Sequence, residues 1–157
     1  MTQNEILQDL RQRFGSDIID ILEKSAKRVY ITIKSQALVP IATHTFKTLG
    51  ARFNTASGID LRYHMEILYH FTFDELDFLI SYRVILPKDN LAIDSLARLF
   101  EGANWIEREM NEMFGINFKG HPELKRLLLP DEWPDGVYPL RREYQEWDKD
   151  AIRDRGV

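Results

Sequence analysis

Ile59-Asp60-Leu61-Arg62-Tyr63-His64-Met65-Glu66-Ile67-Leu68-Tyr69-His70-Phe71-Thr72-Phe73 places an apolar or aromatic side chain at every odd position. Asp60, Arg62, His64, Glu66, His70 and Thr72 fill most of the even ones. Successive side chains of a strand point to opposite faces, so a period of two reads as antiparallel sheet with one buried and one wet face. The run is long for one strand. The spacing predicts a strand from 51 to 61, a reversal, and a second strand from 64 to 73. Asp74 to Asp77 is a polar turn, and alternation resumes through Phe78, Ile80, Tyr82, Val84 and Leu86 until Pro87 closes it.

Upstream, Arg28-Val29-Tyr30-Ile31-Thr32-Ile33-Lys34 has the β-branched and aromatic content of another strand. Ile6, Leu7, Leu10 and Phe14 recur at helical spacing among polar residues, with Gly15 as a stop. A second helix is expected over residues 36–49, with Pro40 tolerated in its first turn and Gly50 beyond its end. Residues 17–22 (Asp-Ile-Ile-Asp-Ile-Leu) fit either a short strand or a helical turn.

Downstream, Ile93, Leu96, Leu99 and Phe100 suggest a helical face over residues 91–100, interrupted by Gly102. Asn104 to Gly115 is the best-defined helix by pattern. Asn104 is a candidate N-cap, Glu107 stands three residues later, Ile106, Met110, Met113 and Phe114 share a face, and Gly115 ends it. Past Phe118 periodicity is lost, and Pro122, Pro130, Pro134 and Pro139 break the chain repeatedly. Trp133, Tyr138, Tyr144 and Trp147 there are costly to leave in water. The expected fold is therefore α+β. An antiparallel or mixed sheet of three to four strands packs with helices over residues 1–118. An extended C-terminal tail, 119–157, wraps over a surface of this chain or of a partner.

Composition narrows the function. At 157 residues a sizeable core is possible without staples, and 44% hydrophobic with 29% charged residues is the composition of a soluble globular protein. No cysteine is present, which excludes a disulfide scaffold, a thiolate nucleophile, and zinc or iron–sulfur ligation through thiolates of this chain. A net charge of −4 argues against nucleic-acid binding. No apolar run approaches a spanning helix, and the polar Met1-Thr2-Gln3-Asn4-Glu5 does not read as a signal peptide.

Candidate chemistry is thin. His64 and His70 share the polar face of the β stretch, too far apart on a straight strand for one metal ion. Glu107 and Glu109 are two residues apart on a helix and do not face one another, whereas Arg108 and Glu112 stand at i, i+4 as a surface ion pair would. His121, before Pro122, could be a catalytic base but has no evident partner in sequence. Phosphate loops and a nucleophile elbow are absent.

The segment Glu107-Arg108-Glu109-Met110-Asn111-Glu112-Met113-Phe114-Gly115-Ile116-Asn117-Phe118-Lys119-Gly120-His121-Pro122-Glu123-Leu124-Lys125-Arg126-Leu127-Leu128-Leu129-Pro130, followed by Tyr138-Pro139-Leu140-Arg141-Arg142-Glu143-Tyr144, closely resembles the signature of one family of hydrophilic-arm subunits of NADH:quinone oxidoreductase, respiratory complex I. The same domain occurs in energy-converting membrane-bound nickel–iron hydrogenases. The resemblance implies a non-catalytic subunit of the hydrophilic arm, peripheral on the cytoplasmic face of the membrane. It implies packing against the large catalytic subunit related to nickel–iron hydrogenase and against neighbouring iron–sulfur subunits, with the membrane arm reached indirectly. No cofactor is expected in this chain; iron–sulfur clusters and a flavin or nickel–iron centre belong to the partners. Glu107, Arg108, Glu109, Phe114, Gly115, His121, Pro122, Arg126, Trp133, Tyr138, Arg141 and Arg142 become candidates for a subunit interface. Asn111-Glu112 and Gly136-Val137 depart from the usual pattern, leaving the electron donor and acceptor open. The competing reading of another class is a free-standing hydrolase-type enzyme using His121 with Glu107 or Glu109.

Overall fold

A computed structural model describes residues 1–144. Helix α1 (Gln3–Phe14) starts from a capping box, in which Thr2 Oγ1 accepts from the Glu5 amide and the Glu5 carboxylate accepts from the Thr2 amide. Strands β1 (Ile18–Ser25) and β2 (Arg28–Ile33) follow as a hairpin. Helix α2 (Leu38–Lys47), entered through a 3₁₀ turn, carries Pro40 in its first turn. Strands β3 (Arg52–Asp60), β4 (His64–Phe73) and β5 (Phe78–Pro87) form an antiparallel meander. The remaining elements are β6 (Ala92–Asp94), α3 (Glu101–Phe114) and β7 (Asn117–Lys119).

The order of the main sheet is β1-β2-β5-β4-β3; within it β2 pairs with β5 in parallel while the other pairs are antiparallel. The α+β class and the mixed sheet follow the expectation from sequence, and the sheet has five strands. Every second residue of β4 from Met65 to Phe73 is buried, together with Ile31 and Ile33 of β2 and Ile80, Tyr82 and Val84 of β5. Ile6 and Leu10 of α1 and Leu38 and Ile41 of α2 complete this layer, each at most 1% exposed. Thr45 of α2 and Tyr82 of β5 join hydroxyls at 2.6 Å inside it. Phe100 closes the far side, stacked on Phe53 at 4.7 Å and edge-on to Phe46 and Phe71. The helices thus share one face of the sheet. The other face, with Tyr30, Leu68, His70 and Arg83 part-exposed around a buried Ser81, carries no helix among the described residues.

Two readings of the sequence are corrected, and one left open is resolved. Residues 91–100 are not a helix: Ala92–Asp94 is a short strand paired in parallel with Asn117–Lys119. Its amphipathic spacing was outweighed by a ladder closed by the Asn117 amide on the Leu91 carbonyl and the Ser95 amide on the Lys119 carbonyl. Helix α3 begins at Glu101 with Phe100 at its N-cap, so Gly102 lies in its first turn and Asn104 does not cap it. The segment 17–22, open between strand and helical turn, takes the strand alternative from Ile18 onward as part of edge strand β1, where Ile19 and Leu22 stay exposed and irregular register breaks the alternation.

Candidate functional site

Helix α3 and the segment beyond it form the most polar buried region of the molecule. The helix lies against β3 where Gly58 leaves room: a Cβ there would sit 2.8 Å from the Phe114 ring. Gly115 ends the helix in the left-handed conformation, φ 74°, which turns the chain into β7. Buried along α3 are Glu107, Arg108 and Glu112, 1%, 8% and 6% exposed. Charged side chains are rarely so enclosed unless their polar atoms are satisfied.

Glu107 is satisfied by the loop between β6 and α3. It accepts from the Leu96 amide at 2.6 Å and from the Ser95 hydroxyl, which itself accepts from the Ala97 amide. Burial nevertheless pushes its carboxyl up to about 7, with the Ser95 and Leu96 hydrogen bonds pulling the other way. Across from it, the Tyr69 hydroxyl is fully buried, and burial with the Glu107 charge nearby holds it well above the ordinary phenol range. His121 lies on the third side, its Nε2 3.9 Å from Glu107. The Glu123 amide donates to His121 Nδ1 at 3.0 Å, so Nε2 carries the proton and faces the Asn104 carbonyl at 3.1 Å. The ring is shut from solvent.

Arg108 and Glu112 do not pair with each other. Arg108 donates from Nε to the Lys125 carbonyl at 3.0 Å and from Nη2 to the Arg126 carbonyl at 2.6 Å. Its guanidinium also lies 5.5 Å from the centre of the exposed Trp105 ring. Glu112 accepts from the Leu127 amide and, at 2.8 Å, from the Leu128 amide. Four consecutive residues are thereby fixed on the helix through their main chain. Arg126 organises the next loop: Nη1 donates to the Pro130 carbonyl at 2.8 Å, and Nη2 donates to the Trp133 carbonyl at 2.6 Å and to the Asp135 carboxylate. Trp133 donates from Nε1 to the Val137 carbonyl and stacks on Tyr144 at 6.2 Å.

The last described segment returns to the body. Arg141 donates from Nε to the Phe114 carbonyl at 2.7 Å and lies over the Tyr138 ring, 4.3 Å from its centre. The Leu140 amide bonds the Met113 carbonyl. The Arg142 amide donates to Asp60 at 2.8 Å, and Lys88 pairs with the same carboxylate. Burial raises the Asp60 carboxyl, but these donors more than offset it and hold the group below its ordinary value.

Of the residues singled out in sequence, Glu107, Arg108, Phe114, Gly115, His121, Arg126, Trp133, Tyr138 and Arg141 meet along the α3–tail seam. Glu109, Pro122 and the Arg142 residue as a whole are exposed on it. Trp147 lies outside the described residues. The expected surface pairing of Arg108 with Glu112 is replaced by separate holds on the tail. Ser95, Asp60 and the carboxylate role of Glu112 were missed. Each acts across 12 to 82 residues of sequence, which local spacing does not signal. His64 bonds Glu66 and His70 bonds Ser81, each within the sheet. Among the described residues no group of three or more His, Asp or Glu is placed to hold a metal ion.

A two-layer α+β body whose last helix carries an irregular strap defines a class of fold. The family model of the respiratory-chain NADH dehydrogenase 30 kDa subunit matches residues 31–149, and the chain belongs to that family. It is 40% identical over 93 residues to a subunit of the F(420)H(2) dehydrogenase of Methanosarcina mazei, covering 58% of each protein. With a subunit of the NADH-quinone oxidoreductase of Erwinia tasmaniensis it shares 31% identity over 151 residues, 88% of this chain and 25% of that protein. The chain thus spans only part of the length of both relatives. A component of the membrane-bound sulfane sulfur reductase, an archaeal respiratory membrane complex, superposes with a TM-score of 0.80 at 16% identity, over 90% of this chain and 85% of that one. The trypsin-resistant fragment (1-134) of Nqo5 gives 0.65 at 20% identity, over 79% of this chain and the whole fragment. At these identities the two structures support the fold alone.

Proposed function

We propose that this chain is a non-catalytic structural subunit of the peripheral arm of a complex I-like NADH:quinone oxidoreductase, supporting electron transfer coupled to ion translocation. The observation that carries the reading is the family match over residues 31–149. The seam adds physical support. Its buried charges are committed to main-chain groups, and the one histidine beside a buried carboxylate has both ring nitrogens engaged and no solvent access. That geometry disfavours a free-standing enzyme built on His121. On this reading the chain is held peripherally, through other subunits, on the cytoplasmic face; no described helix is long and apolar enough to cross a membrane.

The interface runs over α3 and the tail, where Trp105, Leu128 and Leu140 are 61%, 60% and 56% exposed beside Glu109, Pro122 and Arg142. Large apolar side chains at such exposure, rimmed by charge, suit burial against another protein. The partners are the large subunit related to nickel–iron hydrogenase and neighbouring iron–sulfur subunits, which hold the redox centres. Relatives carry the names of both an F(420)H(2) dehydrogenase and an NADH-quinone oxidoreductase, so the donor is set by the other subunits. Affinity purification of the tagged protein from its native membranes tests the reading. Recovery with the large subunit and iron–sulfur subunits is expected, and a co-purifying flavin- and NADH-binding partner separates the respiratory form from the hydrogenase form. Recovery of the protein alone, with a turnover lost in His121→Ala, overturns it.

A further inference from the structure

We propose that Arg108 and Glu112 form a receptor for polypeptide main chain, filled by this protein's own residues 125–128 in the free subunit as well as in any assembly. The two side chains stand one helical turn apart on α3, both buried, and each uses its forked end on adjacent peptide groups. Arg108 takes the carbonyls of Lys125 and Arg126; Glu112 takes the amides of Leu127 and Leu128. The ligand is thus read as two carbonyl acceptors followed by two amide donors on consecutive residues, the chain bending from Leu127 onward. The side chains at three of the four positions contribute little: Lys125 pairs with Glu123 in solvent, Leu128 is 60% exposed, and Leu127 is only half-buried. Arg126 is the exception, because it organises the loop that follows.

The same spacing gives the receptor a second state. Opposite charges at i, i+4 on a helix can reach one another when nothing lies between them. With the tail lifted, Arg108 and Glu112 can close into an ion pair, so neither is left as a lone buried charge, the costliest outcome of opening a buried site. The strap is therefore built to seat and release reversibly. It is ordered at its root before a partner arrives, and residues beyond 128 are presented from a fixed point.

Hydrogen exchange on the full-length protein, without partners, tests this. The amides of Leu127 and Leu128 are expected to be protected in the wild type. Arg108→Lys and Glu112→Gln are each expected to speed their exchange by about tenfold or more, while Lys125→Ala and Leu128→Ala leave the Leu127 amide within about threefold of wild type. Leu128→Pro removes one amide from an exposed position and leaves α3 untouched; it is expected to speed exchange at Leu127 with β4 and β5 unchanged. That variant serves if the helix substitutions unfold the protein. Unprotected amides in the free wild type, side-chain truncations as disruptive as the helix substitutions, or an unaltered Leu127 amide in Leu128→Pro would each overturn the receptor. None of these outcomes depends on which complex the protein joins.

Discussion

Glu107 is a carboxylate enclosed by three elements: the loop at Ser95 and Leu96, the sheet at Tyr69, and the tail root at His121. Its carboxyl titrates near 7 in the folded protein, against an ordinary value of 4.5, and burial is the main cause. A group raised on folding contributes stability fully below its unfolded value and loses it as pH climbs through the folded one. Glu107's contribution is therefore expected to be complete below about pH 4.5 and to fall by about 2–3 kcal/mol between pH 5 and pH 8. Glu107→Gln keeps an acceptor for the Leu96 amide without the charge. Urea midpoints at pH 5 and pH 8 should converge in that variant; an unchanged pH slope would show that the ionised carboxylate is tolerated in place.

Helix α3 is set by its ends and by one contact. Gly58 of β3 lets Phe114 and Met110 approach the sheet, and Gly115 turns the chain at positive φ. A Cβ on Gly115 would meet the Tyr138 ring at 2.5 Å and Arg141 Nη2 at 2.7 Å, so the left-handed turn and the tail's return occupy one space. Gly115→Val is expected to combine backbone strain with displacement of that pair, costing about 2–3 kcal/mol. Melting should fall by about 4–12 °C, and the Leu140 amide should lose protection. An unchanged melting temperature would refute this account of the helix end. The same element shows the limit of reading caps locally. Asn104 and Glu107 look like a capping box, yet the N-cap is Phe100, four residues earlier, and Glu107 is turned inward to the loop at Ser95 and Leu96.

As a whole, the molecule is a five-stranded sheet with helices on one face and a strap along the last of them. The two faces should respond differently to substitution. Ile67 is fully buried in the layer between sheet and helices, and Ile67→Ala is expected to cost about 2–5 kcal/mol in denaturant unfolding of the isolated protein. Ile85 is 43% exposed on the face without helices, and Ile85→Thr is expected to change stability by about 0.5 kcal/mol or less. Equal costs at the two positions would mean that the second face is covered in solution.

Alternation in β4 and β5, the apolar stripes of α1 and α2, and the glycine after α3 were legible because each is a local pattern that the chain satisfies against its nearest neighbours. The seam's candidate residues were legible as types, with Glu107, Arg108, His121, Arg126 and Arg141 standing out as charged or polar groups in a section without periodicity. Their partners were not. The sequence determined the sheet, the helical layer and the loss of regular structure after residue 119. Only the tertiary structure decided that residues 92–94 form a strand, that Arg108 and Glu112 hold the tail instead of each other, and that Glu107 faces inward while Glu109 faces out. Those outcomes depend on hydrogen-bonding groups brought together from distant points of the sequence, and a buried charge is satisfied by whatever donors or acceptors the fold delivers to it.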